Sequence, residues 1–219
     1  MKSLHLNTAL AALALCAVSH PAFADVVSAF NDFGPGDSYV TSSGWTASGS
    51  TSLVGYSTPS CSFIADTTGY VTSLDLAVGY VTGDQTGGTF TLSNNGPLTS
   101  PGSTLETFDL TPSGNLGSDN APTHVLANDS VLLTAGQRYW ITLNAPSNSW
   151  YAWNNNNTGA TGPVQIQYTN YAYTQTDQLG AFDIDVAAVP EASTFALFAL
   201  LTVGGLLVLR RQSNRRMAQ

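Results

Sequence analysis

Hydrophobic and polar residues alternate along short segments of this chain, and clusters of turn-forming residues separate the segments. The clearest case is 70–81, where Leu74, Leu76 and Val78 alternate with smaller or more polar residues. A period of two is typical of a β-strand with one buried face. We predict strands at 26–30, 39–46, 53–56, 61–65, 70–81, 89–93, 104–110, 123–126, 131–133, 138–143, 150–154, 164–168 and 182–186.

The segment 25–186 contains no apolar 3.6-residue period long enough for a helix of about ten residues. Many short strands with frequent turn signals indicate an all-β fold, and we predict a single β-sandwich domain of jelly-roll type. A parallel α/β fold is excluded on this pattern, because parallel strands need crossover connections that are usually helices.

The N-terminus has the pattern of a secretory signal peptide. Lys2 precedes an apolar stretch at 10–18, and Ala22 and Ala24 form a small-residue cleavage site. Charge, apolar stretch and cleavage site follow one another in the order that such signals require. We therefore predict a signal peptide at 1–24 and a mature chain that starts at Asp25.

The C-terminus has a different pattern, with an uncharged apolar stretch at about 192–209. Eighteen residues would reach about 27 Å as a helix, close to the hydrocarbon thickness of a bilayer. We predict one transmembrane helix there. The tail at 210–219 would stay in the cytoplasm by the positive-inside rule. Its basic residues are Arg210, Arg211, Arg215 and Arg216.

Charge is distributed unevenly. Of fourteen acidic residues only Glu191 lies outside 25–189, which leaves thirteen; of six basic residues only Arg138 lies inside, so this segment carries a net charge of −12. Nucleic-acid binding is excluded, because phosphate contacts need several Lys or Arg side chains. Cys61 is also left without a partner once Cys16 leaves with the signal peptide, so no internal disulfide is expected.

Catalytic groups are scarce in the mature segment. His124 is its only histidine, and with Cys61 it is the one nucleophile–base pair available; an inert buried thiol and an unrelated histidine are the alternative. Glu106 and Asp109 would face opposite sides of a strand, which does not suit a glycosidase pair. We predict no catalytic residues, no cofactor and no enzymatic activity.

Two pairs of aspartates are candidate Ca²⁺ ligands. Asp183 and Asp185 share one face of a predicted strand, and Asp32 and Asp37 lie in the first loop. Carboxylates with loop oxygens are the ligands that Ca²⁺ prefers. The alternatives are a solvated outer strand face for the first pair and ordinary turn chemistry for the second.

Aromatic residues next to amides are the strongest sign of ligand binding. Trp150, Tyr151 and Trp153 precede the asparagine run 154–157, and three tyrosines follow at 168, 171 and 173. Aromatic rings stack on apolar faces of sugars, and amides bind hydroxyl groups. We take Trp150, Tyr151 and Trp153 as candidate glycan contacts, with core packing as the alternative.

The C-terminal residues resemble a known sorting signal. Val189-Pro190-Glu191, an apolar stretch and an arginine cluster resemble the PEP-CTERM sorting domain of Gram-negative bacteria, with Ala192 where the family has a second proline. The resemblance covers 187–219, with the motif at 189–192. It implies processing by an exosortase, a membrane enzyme, and an association with exopolysaccharide, biofilm and floc formation.

The middle of the chain resembles the choice-of-anchor type of exported domain. The matching residues are FNDFGPG at 30–36, SLDLA at 73–77 and LTAGQRYWI at 133–141. This resemblance implies a β-sandwich and surface display, with no catalytic residues.

Together these features predict an exported, non-enzymatic cell-surface or extracellular-matrix protein. Before processing, the C-terminal helix would anchor it in the inner membrane with the domain in the periplasm. Afterwards the domain would be at the cell surface or outside the cell. The alternative is a carbohydrate-binding module for exopolysaccharide or other glycans.

Overall fold

Every regular element in the described part of the chain is a β-strand. The computed structural model describes residues 25–118, 121–128 and 130–189. In chain order the strands are β1 (Val26–Asn31), β2 (Tyr39–Ser48), β3 (Ser57–Ile64), β4 (Gly69–Leu76), β5 (Val78–Thr82), β6 (Gly88–Asn95), β7 (Pro101–Leu110), β8 (Gly114–Asn115), β9 (Thr123–Leu126), β10 (Leu132–Leu133), β11 (Arg138–Asn144), β12 (Trp150–Asn156), β13 (Thr161–Tyr168), β14 (Ala172–Gln178) and β15 (Phe182–Ala188).

The strands form two sheets. The smaller sheet has five strands in the order β1-β15-β4-β10, and β9 also pairs with β4. The larger sheet has ten strands and includes the path β7-β6-β11-β3-β2-β12-β5-β8, with β13 between β3 and β14. All pairs are antiparallel except β5 with β8. Residues Val26–Ala188 form one compact unit.

Strand β15 shows why these sequences form half-buried strands. Phe182, Ile184 and Val186 are fully buried, whereas Asp183 and Asp185 between them are half-buried on the other face. Each buried apolar side chain of this size contributes about 1.5–3 kcal/mol relative to an exposed one. One strand face therefore belongs to the core, and the other carries carboxylates.

The core lies between the two sheets, and aromatic rings connect them. The ring of Phe182 in the smaller sheet packs at 5.7 Å, centroid to centroid, against both Phe63 and Trp153 of the larger sheet. Phe30 of β1 stacks on the same ring at 4.6 Å. Aromatic pairs at these separations contribute beyond their buried area, so Phe182 stabilises both sheets together.

The segment predicted as one strand at 70–81 is two strands in different sheets. Strand β4 belongs to the smaller sheet and β5 to the larger, with the buried Ala77 between them. The N–H of Ala77 donates to the carbonyl of Ala181 at 3.1 Å, and its carbonyl accepts the N–H of Asn154 at 2.8 Å. The backbone therefore passes from one sheet to the other while its polar groups stay paired, as buried backbone groups require.

The predicted fold class needs correction. The described chain is all-β with a sandwich-like arrangement of two sheets, but the sheets are unequal, with five and ten strands, unlike the eight strands of a jelly roll. The larger sheet gains strands through β2, β12, β5 and β8 on one side and the β13–β14 hairpin on the other.

The fold class also included one transmembrane helix, and this part is corrected as well. Residues 25–118, 121–128 and 130–189 contain no helix at all, and hence none long and apolar enough to cross a membrane. The segments 1–24 and 192–209, for which a signal peptide and a membrane helix were predicted, lie outside the described residues.

Candidate functional site

Two of the three aromatic residues of β12, Tyr151 and Trp153, belong to the core, which corrects their assignment as glycan contacts. Tyr151 and Trp153 are fully buried, and Trp150 is half-buried. The Tyr151 hydroxyl donates to the Asp84 carbonyl at 2.8 Å, and Trp153 Nε1 donates to the Ala181 carbonyl at 3.1 Å. Neither of these two rings offers a face to a sugar.

The environment of Tyr151 matches this structural role. Burial, and to a lesser extent the nearby Asp84 and Tyr80, raise the pKa of Tyr151 to about 12. Strand β12 lies between β2 and β5, and four successive residues from Tyr151 to Asn154 are buried. Strand β12 is therefore covered on both faces at these residues, although alternate residues of a strand point to opposite faces.

The structure does not form a nucleophilic pair from Cys61 and His124. Cys61 is fully buried on β3 of the larger sheet, and its Sγ accepts the N–H of Gly180 at 3.4 Å. Burial raises the pKa of this thiol, which disfavours the reactive thiolate. His124 lies on β9 of the smaller sheet, with Nδ1 3.1 Å from Asp75 Oδ1.

The two carboxylates of β15 are held by hydrogen-bond donors on neighbouring strands. Asp183 accepts from Ser28 Oγ at 2.8 Å and from Asn31 Nδ2 at 2.6 Å, and Asp185 accepts from Ser73 Oγ at 3.2 Å. The pKa of Asp183 is raised to about 6, mainly by burial; the Asp185 and Asp75 charges also raise it, and the Ser28 hydrogen bond lowers it.

This arrangement on the outer face of the smaller sheet is a hydrogen-bonded network. Among residues 25–118, 121–128 and 130–189, no group of three or more His, Cys, Asp or Glu side chains could hold a metal ion. The carboxylate oxygens of Asp183 are both engaged by donors, and such bonds favour the charged form without a cation. A Ca²⁺ site at Asp183 and Asp185 gains no support from this geometry.

The acids of the first loop have contrasting surroundings. Asp37 is exposed in a turn with a positive φ of 58°. Asp32 is 3 % exposed; its Oδ1 accepts the N–H of Phe182 at 2.8 Å, whereas its Oδ2 is buried and accepts no hydrogen bond from any described residue. Burial raises the pKa of Asp32 to about 7, although the Phe182 and Asp32 backbone amides lower it.

Burial therefore brings the pKa of Asp32 close to neutral pH. From the sequence, Asp32 was a candidate Ca²⁺ ligand with ordinary turn chemistry as the alternative, and its burial was not predicted. No local signal of the sequence indicated this burial, because acids between apolar residues can equally lie on the outer face of a strand, as Asp183 and Asp185 do.

Glu106 has a structural role in holding a loop. Its Oε1 accepts both the backbone N–H and Nδ2 of Asn128, at 3.0 and 2.8 Å. Asp109 is exposed on the opposite face of β7. The two carboxyls do not share a site, in agreement with the face argument made from the sequence.

Residues of the predicted processing signals are mostly outside the described part of the chain. This applies to Ala22, Ala24, Pro190, Glu191, Arg210, Arg211, Arg215 and Arg216. Val189 is described; it follows the end of β15 directly and is 41 % exposed.

The exposed aromatic residues of the chain include a cluster on the β13–β14 hairpin. The rings of Tyr168 and Tyr171 stack at 4.9 Å, and those of Tyr168 and Tyr173 at 6.2 Å. Tyr171 is 62 % exposed and Tyr173 39 %. These tyrosines follow the asparagine run in the sequence, but the predicted glycan contacts lie on β12.

Comparison with known proteins adds no assignment to this geometry. The sequence matches no protein-family model and no curated protein.

Proposed function

We propose that this chain is an exported, non-enzymatic cell-surface or extracellular-matrix protein that is sorted by a C-terminal exosortase-type signal. The observation that carries the proposal is where the last core strand ends. Strand β15 ends at Ala188, and the tripeptide Val189-Pro190-Glu191 follows at once, beginning with an exposed residue. A cut at the tripeptide would release every strand of the compact unit together.

The short distance between strand and motif also favours recognition. Pro190 disfavours helical backbone at the residue before it, which keeps Val189 extended as processing enzymes require of a substrate. The resemblance to PEP-CTERM proteins supplies the expected partner, an exosortase-type enzyme.

The non-enzymatic part of the proposal is supported by the side chains that chemistry would need. The Cys61 thiol is closed from solvent, and His124 pairs with Asp75. The carboxylates Asp183 and Asp185 bind neighbouring hydroxyl and amide donors. Each of these groups is thus engaged with a neighbouring residue of the fold.

The test is intact-mass analysis with N- and C-terminal sequencing of the protein from its own host. We expect a mature form that starts at Asp25 and ends near Val189 to Glu191. Recovery of only a form that keeps Arg210 to Gln219 would overturn the processing proposal.

Point variants make this test specific. Glu191→Ala is expected to leave the tail attached, because it removes the acid of the motif, and Ala192→Pro is expected to increase the processed fraction by restoring the usual tripeptide. Ser193→Ala, two residues beyond the acid, is the matched control and should be processed like the unaltered chain. Equal processing of the Glu191 variant and this control would contradict a role for the motif.

A further inference from the structure

The β13–β14 hairpin carries a row of side chains on the core-facing side of the larger sheet, and several of them are exposed. In the β13–β14 register Tyr173 lies opposite Ile166, which is buried, and Tyr168 donates its N–H to the Tyr171 carbonyl at 2.8 Å across the turn. Because side chains of a strand alternate between faces, alternate residues share this face. We call this set the tyrosine stripe, which consists of Tyr168, Tyr171, Tyr173, Gln175 and Asp177.

The three rings of the stripe pack on one another. Tyr168 is packed against the hydrophobic core, and the planes of Tyr171 and Tyr173 are within 28° and 18° of its own. Tyr171 and Tyr173 nevertheless leave large parts of their side chains in solvent. A partly exposed ring that already packs against a neighbouring ring loses less conformational freedom than an isolated one when a flat apolar ligand stacks on it.

The polar end of the stripe offers groups suited to hydroxyls. Gln175 Nε2 donates to Asp177 Oδ2 and the Gln178 N–H donates to Asp177 Oδ1, each at 2.8 Å. Each carboxylate oxygen keeps a second lone pair for a hydroxyl donor, and both side chains lie on an exposed or half-buried part of β14. Amide and carboxylate oxygens beside aromatic rings are the polar groups that orient a ligand in a mostly apolar site.

The negative charge of the segment 25–189 disfavours a negatively charged ligand. The segment 25–189 has no lysine and a net charge of −12, and its single arginine, Arg138, donates to Ser62 Oγ at 2.8 Å. A polyanion would meet Asp177 with no cation from Lys or Arg beside it, and a second copy of the chain would bring an equal negative charge. An uncharged ligand is repelled neither by the Asp177 carboxylate nor by the net negative charge of the segment.

We propose that the tyrosine stripe binds an extended, uncharged polysaccharide, with sugar rings stacked on Tyr171 and Tyr173 and hydroxyl groups bonded to Gln175 and Asp177. The six residue steps from Tyr171 to Asp177 span about 20 Å of extended strand, so a chain of several sugars fits better than a single one. This inference is independent of the proposed sorting, because it concerns only residues of the larger sheet.

The test is native gel electrophoresis of the full-length chain in gels that contain a neutral β-glucan, a neutral mannan, dextran or polygalacturonate. We expect retardation by at least one neutral polysaccharide and none by polygalacturonate. The double variant Tyr171→Ala/Tyr173→Ala should weaken binding at least about tenfold, and Tyr173→Trp should retain it because the larger ring still stacks.

Tyr70→Ala is the matched control, since Tyr70 is 43 % exposed on β4 of the other sheet, and it should bind like the unaltered chain. Circular dichroism of each variant separates lost binding from lost folding. The proposal is overturned if no neutral polysaccharide retards the chain, if polygalacturonate retards it instead, or if the double variant binds as well as the Tyr70 control. Sedimentation that shows a dimer dissolved by the tyrosine variants would also overturn it, since the stripe would then be a self-association surface.

Discussion

Asp32 has the most unusual environment of any carboxyl in the described chain. It is nearly fully buried, one of its oxygens accepts the Phe182 N–H, and the other accepts no hydrogen bond from any described residue. Removing a charged carboxylate from water costs free energy unless it is fully paired. Burial therefore raises the pKa of Asp32 to about 7, from an ordinary 3.8.

This environment predicts that the protein loses stability as pH rises from about 4 to about 7. In that window the folded state binds a proton that the unfolded state has released, so the free energy of unfolding falls with pH and levels off above the folded pKa. The rise from 3.8 to about 7 corresponds to about 4 kcal/mol. Urea unfolding of the full chain at several pH values measures the effect.

Asp32→Asn tests the origin of that dependence. The amide oxygen can still accept the Phe182 N–H, but the side chain no longer ionises, so we expect a much flatter dependence on pH. Asp37→Asn, in the exposed turn of the same loop, is the control and should leave the dependence unchanged. An Asp32 variant with the full pH dependence would assign the effect to other groups, Asp183 first among them.

Strand β14 shows how an element escapes sequence-based prediction. Most of its residues are exposed and none is buried, so the segment 172–178 lacks the alternation that burial imposes on a strand. Its neighbour β13 has Val164 and Ile166 buried and was predicted. The strand exists because β13 provides a hydrogen-bonding edge, which is a tertiary cause. Conversely, 53–56 was predicted as a strand but lies mostly in a turn, with Leu53 93 % exposed.

The edge position of β14 predicts fast backbone hydrogen exchange. It pairs with β13 alone, whereas β4 is flanked by β15 on one side and by β9 and β10 on the other. Amides of exposed edge elements exchange through local opening, and those of core strands approach the global unfolding free energy. Mass spectrometry of peptides from 172–178 and 69–76 measures both.

The β4 peptide serves as the internal reference in this experiment. Equal protection in the two peptides would mean that another chain pairs with the β14 edge, which would also count against a glycan at the tyrosine stripe. Added neutral polysaccharide should slow exchange in 172–178 and leave 69–76 unchanged.

At the scale of the whole molecule, stability depends on the rings between the sheets. Phe182→Ala is expected to lower the free energy of unfolding by about 3–5 kcal/mol, because it removes a buried ring and leaves a cavity among Phe30, Phe63 and Trp153. Denaturant unfolding measures the change. Leu53→Ala removes an almost fully exposed side chain and should change it by less than about 0.5 kcal/mol.

A loss as small as that of the Leu53 control would contradict the role of Phe182 in joining the sheets. The ring of Trp153 is also tightly packed, since a Cβ at Gly180 would lie 2.6 Å from it. That glycine is required by close approach, which no local pattern of the sequence indicated.

The sequence by itself determined the all-β class, because alternating residues and frequent turns leave no room for a helix in the segment described. It also located most strands, since a strand with one buried face must alternate apolar and polar residues. The same local pattern predicted that Glu106 and Asp109 face opposite sides of β7, and they do.

Only the tertiary structure decided which strands share a sheet and which aromatic rings reach solvent. The alternating pattern at 70–81 is continuous, yet the chain passes from one sheet to the other at Ala77. The pattern does not change there because both sheets bury their apolar side chains in the same core. Strand β12 lies inside the larger sheet and buries Tyr151 and Trp153, whereas the hairpin at its edge exposes Tyr171 and Tyr173. Burial depends on what covers a strand, and that is set by residues far away along the chain.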